Sequence, residues 1–392
     1  MQHQQQVDKW FKSKNWKPFP FQKQTWESYK KGNHGLLNAP TGSGKTYALW
    51  VPILLKILEQ KKKKASLQAI WITPLKALSY EIKQATERLA DHFDANITVD
   101  IRNGDTSTTQ RSKQRRNMPD LLITTPESLQ LLIASKKYDQ LFENCHSIVV
   151  DEWHELLGTK RGVQVELALS RLKTVCNKLQ IWGISATIGN LDQGREVLLG
   201  NDSTTLDHSE LIKADIHKEI IVKSILPESM DQFPWRGHLG LQQLEQVVDK
   251  IKNSRTTLLF TNTRSQCEIW FQKLLEKHPE FAGELAMHHG SINKETRNWV
   301  ENAIRNESLK AVVCTSSLDL GVDFAPVETI VQIGGPKGVA RFLQRAGRSG
   351  HRPGETSYIY FLPTHAIELV EASALQKAVQ NKAVEDRPPV IL

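Results

Sequence analysis

Apolar and polar positions follow two different patterns along this chain. Short runs rich in Val, Ile and Leu predict buried strands, and the segments between them carry apolar residues at helical spacing, for example at residues 76–91 and 162–175. This succession predicts an α/β fold with mostly parallel sheets that are covered by helices on both faces. The predicted strands are residues 67–73, 120–124, 147–151 and 179–185, followed by residues 219–225, 256–261, 285–287, 309–314 and 329–333.

A polar stretch at residues 200–215 interrupts the succession, which resumes near residue 219. The length of 392 residues also exceeds what one hydrophobic core usually supports. We therefore predict two α/β domains of similar type, residues 1–207 and residues 208–392.

Composition narrows the class of protein. Hydrophobic residues make up 39% of the chain and charged residues 24%, and no apolar run approaches the length of a membrane span, so no membrane partner is expected. The N-terminal sequence MQHQQQ lacks the features of a secretory signal, and we expect a cytoplasmic protein. The four cysteines are far apart and are predicted to be small buried apolar side chains: Cys145, Cys176, Cys267 and Cys314.

The formal charge of +8 and the pI near 9.1 favour a polyanionic partner. Each cation that is placed on a phosphate releases condensed counterions, which favours binding. The four lysines at residues 61–64 are interpreted as a solvated loop rather than a docking site, because they lie between a helical segment and an apolar strand.

The sequence APTGSGKT at residues 39–46 follows an apolar run and opens a helical segment, which is the context that a phosphate-binding loop requires. We predict that the backbone N–H groups of the loop close around phosphate oxygens, that Lys45 reaches the β- and γ-phosphates of ATP, and that Thr46 ligates Mg²⁺. Ala39 replaces the usual glycine, and a small residue still fits there. The other loop residues of this predicted site are Thr41, Gly42, Ser43 and Gly44.

A second motif, Asp-Glu-Trp-His, follows the apolar strand at residues 147–150. Ligands gather at the carboxyl ends of strands in an open α/β sheet. We predict that Asp151 holds Mg²⁺ and that Glu152 polarises the attacking water. Trp153 is predicted to pack beneath the motif rather than to stack on a base.

Two further segments indicate which kind of NTPase this is. Ser185 and Thr187 follow another strand, and their position resembles the one at which a helicase links its ATP site to its nucleic-acid track. The segment QRAGRSGHR at residues 344–352 is predicted to be helical. Its Arg345 and Arg348, three residues apart, suit a clamp on γ-phosphate charge that is supplied from the second domain, with Gln344 beside them.

In this order the motifs resemble those of the DEXH-box helicases of superfamily 2, across nearly the whole chain. The resemblance implies two tandem RecA-like domains, each with a mostly parallel sheet and helices on both faces, and ATP and Mg²⁺ as cofactors. It implies that Gln22 reads adenine, that Gly321 and Asp323 contribute to the ATP site, and that His154 couples this site to the second domain, although a structural core histidine is the alternative. The implied nucleic-acid contacts are Pro74, Lys76, Thr124, Thr125, Thr263, Arg264 and Thr315, whose threonine hydroxyls suit phosphate oxygens.

The amino-acid sequences of four segments resemble those of Lhr-like helicases, and in particular those of the bacterial ligase-associated DEXH-box helicases of the DNA-damage response. These are residues 151–162, 233–240, 288–291 and 336–341. The resemblance implies 3′-to-5′ movement on single-stranded DNA, possible repair-enzyme partners, and winged-helix and further C-terminal domains. Because the sequence ends at Leu392, soon after the second predicted domain, we interpret it as a fragment or a truncated form of such a protein.

Some alternatives stay open on the sequence alone. An ATP-gated clamp or sensor that binds nucleic acid without travelling would keep every motif above, whereas the motifs argue against an ATPase that acts on proteins or small solutes. RNA stays possible beside single-stranded DNA, because motors that grip the backbone expose few base-reading groups. Arg102, Arg264 and Lys76 could add charge to the track or be ordinary surface residues.

Overall fold

A computed structural model describes residues 2–40, 42–60, 66–176, 178–186, 188–216, 220–227, 239–319, 327–349, 357–381 and 383–390. The chain divides into two compact units, one formed by Met1–Asp215 with Asp386–Leu392 and the other by Ile216–Glu385. Both are built from parallel sheets and helices, which confirms the predicted fold class.

The first unit contains one sheet whose strands pair in parallel throughout, in the order β3-β4-β2-β5-β6-β1-β7. Its strands are β1 His34–Asn38, β2 Ala69–Ile72, β3 Val99–Arg102, β4 Leu121–Thr124, β5 Ser147–Val150, β6 Gln180–Ser185 and β7 Ser209–Lys213. Its helices are α1 Gln2–Ser13, α2 Pro20–Lys30, α3 Lys45–Glu59, α4 Lys76–His92, α5 Thr108–Arg116, α6 Pro126–Ile133, α7 Tyr138–Phe142, α8 Trp153–Leu156, α9 Lys160–Lys173, α10 Leu191–Leu199 and α11 Ser203–Asp207.

The second unit contains a parallel sheet in the order β10-β11-β9-β12-β13-β8. Its strands are β8 Ile220–Ser224, β9 Thr257–Phe260, β10 Leu285–His288, β11 Ala311–Cys314, β12 Thr329–Ile333 and β13 Ser357–Leu362. Its helices are α12 Leu244–Lys252, α13 Arg264–Lys277, α14 Lys294–Arg305, α15 Val339–Ala346 and α16 Ile367–Gln380, with 3-10 turns at Leu241–Gln243, Pro279–Phe281 and Ser316–Leu318.

Alternate residues of the central strands enter different hydrophobic clusters. Leu258 and Phe260 of β9 belong to one cluster of the second unit, and Leu259 between them belongs to the other. A strand that is covered on both faces explains why its sequence reads as a continuous apolar run. Each such side chain contributes about 1.5–3 kcal/mol when it is fully buried.

The predicted domain boundary lies earlier than the division in the structure. Residues 208–215 were assigned to the second domain, but β7 pairs with β1 along its whole length and so belongs to the first sheet. The polar stretch at residues 200–215 is therefore not an irregular segment between the two domains, since it contains α11 and β7. Residues beyond Glu385 also pack on the first unit, where the backbone N–H of Arg387 donates to Asn190 Oδ1 at 2.8 Å.

Two expectations from composition can be compared with the fold. All four cysteines are buried and free, as predicted. Among the helices of the described residues, none has the length and apolar character that a membrane span requires. The four-lysine run at residues 61–64 lies outside the described residues.

Candidate functional site

Strand order brings the ATP motifs of the first unit together. Strands β5, β6 and β1 are neighbours in the sheet, so their carboxyl ends meet at one edge. The phosphate-binding loop follows β1, Asp151 follows β5, and the segment from Ser185 follows β6. Crevices at this edge are where open α/β sheets bind their ligands.

The phosphate-binding loop turns into α3 at a glycine that no other residue could easily replace. Gly44 caps the helix with φ of +79°, a left-handed conformation that favours glycine. A Cβ atom there would also lie 2.9 Å from Gln22 Nε2. That amide donates to the Gly44 carbonyl at 3.0 Å, while Gln22 Oε1 accepts from the Phe19 N–H at 2.8 Å. Gln22 is predicted to read adenine, and its hydrogen bond to Gly44 also holds the loop in place. Thr41 lies outside the described residues.

Lys45 has the surroundings of a cation that binds an anion. Its Nζ is buried, forms no hydrogen bond within the described part of the chain, and lies 3.7 Å from Glu152 Oε1. A buried ammonium is costly unless it is paired and hydrogen-bonded. The donor at the first position of α3 therefore fits a phosphate of ATP, together with the N–H groups of the loop that contains Gly42 and Ser43.

Asp151 is held by two donors and is nearly fully buried. The indole Nε1 of Trp71 donates to its Oδ2 at 3.1 Å, and the backbone N–H of Glu152 donates to its Oδ1 at 2.9 Å. Burial raises the pKa of Asp151 to about 6, with a further contribution from the neighbouring Glu152 and partial compensation by Lys45. A divalent cation would offset this cost, so the Asp151 carboxylate fits the predicted Mg²⁺ site. Thr46, the other predicted ligand, is the second residue of α3.

Glu152 sits in a strained turn that links two of the motifs. Its φ of +47° is in the left-handed region and places it at the start of α8. His154, one turn on, accepts a hydrogen bond at Nδ1 from the Ala186 N–H at 3.2 Å. Burial lowers the pKa of His154, so the ring is neutral and its 3.4 Å contact with Glu152 is not an ion pair.

His154 therefore joins Asp-Glu-Trp-His to the segment after β6 within one unit. Ser185, predicted for coupling, is fully buried at the end of β6. Asn38 Nδ2 fixes the same segment by donating to the Ala186 carbonyl at 2.7 Å. Thr187, the other predicted coupling residue, lies outside the described residues.

Trp153 packs in the core, as predicted. It is fully buried, and its Nε1 donates to the Gly194 carbonyl of α10 at 2.8 Å. A base could not stack on this ring.

The residues of the first unit that are predicted to contact nucleic acid lie at the ends of β2 and β4, which are neighbours in the sheet. Lys76 is exposed at the start of α4 and pairs with Asp105, and Thr125 caps α6. Thr124 is fully buried and its hydroxyl donates to the Arg102 carbonyl at 2.8 Å. The expectation of a phosphate contact from the Thr124 hydroxyl therefore does not match this arrangement.

Arg102 also differs from its interpretation as a charge on the track. Only 4% of it is exposed, and Nη1 lies against the Arg111 carbonyl and Gln114 Oε1. Burial lowers the pKa of Arg102, and the charges of Arg115 and Arg111 lower it further. Arg102 thus packs against α5 and is not exposed to a nucleic-acid strand.

One arginine that the sequence reasoning did not single out connects this face. Arg161, at the start of α9, binds Glu127 through Nε at 2.6 Å and Nη2 at 3.2 Å. Its Nη1 donates to the buried Pro74 carbonyl at 2.8 Å. A single guanidinium therefore joins the loop after β2, the first turn of α6 and the segment that follows α8. Because 34 residues separate the ion-pair partners, no local pattern reveals the contact.

In the second unit the residues that are predicted to contact nucleic acid lie after strands β9 and β11, and the loop after the neighbouring strand β10 lies beside them. Thr263 caps α13, and the exposed Arg264 contacts Ser291. Thr315 precedes the 3-10 turn Ser316–Leu318. An open depression of about 560 Å³ is lined by polar groups from all three loops: Asn262, Thr263, Arg264, Gly290, Ser291, Thr315 and Ser316.

The arginine segment forms a buried network with Asp319. Helix α15 ends at Ala346, so Arg348 lies beyond the helix on which it was predicted. Arg345 binds Asp319 with Nε–Oδ1 at 2.6 Å and Nη2–Oδ2 at 3.0 Å, and it lies over the ring of Phe260. Arg348 Nη2 donates to the Asp319 carbonyl at 2.9 Å.

Gln344 on the same helix is buried. Asp319, which binds both arginines, is not among the predicted site residues. Gly321 and Asp323 lie outside the described residues.

Family comparisons agree with this arrangement. The family model described as DEAD/DEAH box helicase matches residues 19–193, and the one described as helicase conserved C-terminal domain matches residues 240–353. With two parallel sheets of the RecA-like type, the chain belongs to the DEAD/DEAH-box helicases of superfamily 2, a family of ATP-hydrolysing enzymes.

Within that family the chain is similar to Lhr helicases. ATP-dependent helicase Lhr-Core protein 2 of Thermococcus barophilus is 31% identical over 97% of this chain and 46% of its own length. Lhr-Core of Methanocaldococcus jannaschii is 34% identical over 93% and 44%. The solved structure of Mycobacterium smegmatis helicase Lhr bound to ssDNA and AMP-PNP matches with a TM-score of 0.83 and 30% identity, over 98% of this chain and 51% of that one. The chain spans less than half the length of these curated relatives.

Proposed function

We propose that this chain is an ATP-driven translocase that moves 3′ to 5′ along single-stranded DNA and serves in DNA repair. The observation that carries the ATP-dependent part is the buried Lys45 ammonium, which faces Glu152 beside the metal-suited carboxylate of Asp151. The direction and the repair role rest on the resemblance, as do a winged-helix domain and repair-enzyme partners in longer relatives.

Chemical roles in hydrolysis follow from the first unit. With ATP and Mg²⁺ bound, Asp151 and Thr46 would hold the metal, which neutralises phosphate charge. Lys45 would bind the β- and γ-phosphates, and Glu152 would accept a proton from the attacking water. Through the resemblance, Arg345 and Arg348 are assigned to stabilise charge on the γ-phosphate, with Gln344, Gly321 and Asp323 in the same site.

Strand binding is proposed for loops and helix N-termini that grip the backbone. Thr125, Thr263 and Thr315 each precede or cap a helical turn, where N–H groups suit phosphate oxygens of any sequence. The bound strand in the Mycobacterium smegmatis Lhr structure supports single-stranded DNA as the partner. RNA is the alternative polymer, because these groups do not read the sugar.

A second candidate function is an ATP-gated clamp that closes on a strand without travelling. The same site geometry would support it, since ATP binding alone favours whichever conformation has the higher affinity. Translocation is favoured because Glu152 and His154 connect the carboxylate pair to the segment after β6, which gives hydrolysis a mechanical link.

Hydrolysis with three polymers tests the proposal. ATP turnover should be measured with single-stranded DNA, with single-stranded RNA of matched sequence and with no polymer. We expect stimulation that is greatest with DNA. Equal turnover in all three conditions would contradict a nucleic-acid-dependent ATPase, and stimulation by RNA alone would contradict the assignment of DNA.

A further inference from the structure

Helix α5 concentrates positive charge at the edge of the first sheet. It follows β3, which is the terminal strand in the sheet order, and its sequence TTQRSKQRR contains no acidic residue. Lys113, Arg115 and Arg116 are exposed, and Arg111 is half-buried. We call these four residues the α5 basic surface.

None of these four residues forms an ion pair with a residue in the described parts of the chain. Two carboxylates in β3 and in the loop that follows it are occupied by other groups. Asp100 accepts from Gln114 Nε2 at 2.7 Å and from Gln110 Nε2 at 3.1 Å, and Asp105 pairs with Lys76. Beneath the helix, the buried guanidinium of Arg102 adds a fifth positive charge. The protein itself thus leaves this charge uncompensated.

Folding gives little reason to keep so many cations here. Cations in the last turn interact favourably with the helix dipole. Arg111 and Arg115 are four residues apart, and a like-charged pair at this spacing is destabilising. The buried Arg102 carries a further desolvation cost, as its lowered pKa indicates. These effects oppose one another, and in the described parts of the chain no carboxylate pairs with the four cations, so a bound polyanion is the better account of the charge.

The α5 basic surface is continuous with the proposed strand contacts. Arg111 Nη2 donates to the carbonyls of Asn103 at 3.1 Å and Gly104 at 3.4 Å. Gly104 in turn lies under Lys76, whose Nζ would be 3.2 Å from a Cβ atom at that glycine. A backbone path therefore runs from Lys76 across Gly104 to α5.

We infer that the α5 basic surface binds backbone phosphates of the same single strand beyond Lys76, and so lengthens the track on the first unit. The inference rests on the proposed function, because it requires a strand at Lys76. The base sequence of the strand would not affect this contact, because the guanidinium and ammonium groups would bind the backbone phosphates and not the bases.

The salt dependence of strand binding tests the inference. Binding of an oligo-dT of about 30 nucleotides, longer than typical single-domain site sizes, should be measured from low to high salt. For R115Q/R116Q, the slope of log K against log salt should be smaller by about 1.4, because each single-strand phosphate contact contributes about 0.7. Near 0.1 M salt, this corresponds to about 10- to 30-fold weaker binding.

Two variants serve as controls. K30Q/K31Q removes the same charge from exposed lysines at the end of α2 and should leave the slope unchanged. R115K/R116K keeps the charge and should retain the native slope. Thermal unfolding of each variant establishes that the unit is folded.

An R115Q/R116Q slope equal to the native one would overturn the inference, as would equal losses in R115Q/R116Q and K30Q/K31Q. If the native chain itself shows no salt-sensitive strand binding, the proposed function fails, which is a distinguishable result. An acidic protein as the true partner of α5 would leave the strand-binding slope unchanged.

Discussion

Glu152 and Lys45 lie close together, and the proposed function gives them separable roles at the ATP site. Glu152→Gln keeps the size of the side chain and removes the base, so ATP and Mg²⁺ should still bind while hydrolysis slows at least about a hundredfold. Binding of a fluorescent ATP analogue and single-turnover hydrolysis measure the two effects. Lys45→Ala, as the comparison, should abolish turnover with the fold intact. Near-native hydrolysis by Glu152→Gln would show that another group activates the water.

His34 predicts how the stability of the first unit depends on pH. Its Nδ1 accepts from the Ile181 N–H at 3.1 Å, and burial lowers its pKa to about 4, helped by the charges of Lys173 and His208. In the unfolded chain the pKa of this histidine is near 6.5. Between the two pKa values, the histidine is therefore protonated in the unfolded chain and neutral in the folded unit. The free energy of unfolding should therefore fall as pH drops from about 6.5 to about 4, by at most about 3 kcal/mol from this residue.

Denaturant unfolding across that pH window, with His34→Gln beside the native chain, isolates this contribution. His154, whose pKa is also lowered, contributes with the same sign in both proteins. The variant should show a shallower loss of stability at acid pH. Identical pH dependence in the two proteins would contradict a neutral His34.

Arg345 and Arg348 should behave differently when they are truncated. Arg345→Ala leaves the carboxylate of Asp319, which is 4% exposed, without its bidentate partner. Breaking a buried pair in this way costs about 3–5 kcal/mol, so the second unit should be clearly destabilised. Arg348→Ala should slow hydrolysis by about a thousandfold with a smaller loss of stability. Denaturant unfolding and ATP turnover of both variants check this, and normal hydrolysis in both would rule out a role of these arginines in the ATP site.

At the scale of elements, Arg161 should control how a strand stimulates hydrolysis. Its contacts with Glu127 and the Pro74 carbonyl position two of the proposed strand-binding loops. Arg161→Ala should raise the DNA concentration that half-stimulates hydrolysis about tenfold, roughly 1.4 kcal/mol, with little change in the KM for ATP.

Glu127→Gln is the matched variant, and the double variant should add little to either single one, because both remove the same contact. Half-stimulating concentrations that are additive across the pair would contradict a shared positioning role.

Strands that carry an apolar run could be predicted from the sequence, including β8 and β10 at the two ends of the second sheet, whereas the end strands of the first sheet could not. The runs at β2, β4, β5 and β6 are fully buried and were found to within two residues of their ends. Strands β3 and β7 lie at the two ends of the first sheet and are only partly buried, so VDIR and SELIK mix polar with apolar residues. The aromatic run SYIYFL of β13 carried a strand pattern that was overlooked.

Residues within continuous motifs could be grouped into a candidate site from the sequence, because the chemistry of phosphates restricts their types and spacing; their roles stay predictions. Contacts between distant segments could not. The Asp319–Arg345 pair spans 26 residues and the Arg161–Glu127 pair spans 34, and only the strand order brings these partners together. The same limit explains Thr124 and Arg102, whose residue types suit a phosphate but whose positions are buried.

At the scale of the whole molecule, each unit is a parallel sheet with functional loops at the carboxyl ends of its strands. In the proposed function, the first unit supplies the groups for ATP hydrolysis and both units bind a nucleic-acid strand at polar helix starts. A motor of the proposed kind converts hydrolysis into a step only if the affinities of its conformations for the strand differ.

Displacement of a bound protein from a single strand tests the central claim most directly. Streptavidin should be placed on biotin at the 5′ end or at the 3′ end of an oligo-dT, and its release followed with ATP in single turnover. We predict ATP-dependent release from the 5′ end, little release from the 3′ end, and none with Glu152→Gln. Strand-stimulated hydrolysis without release from either end would contradict translocation and establish the clamp instead.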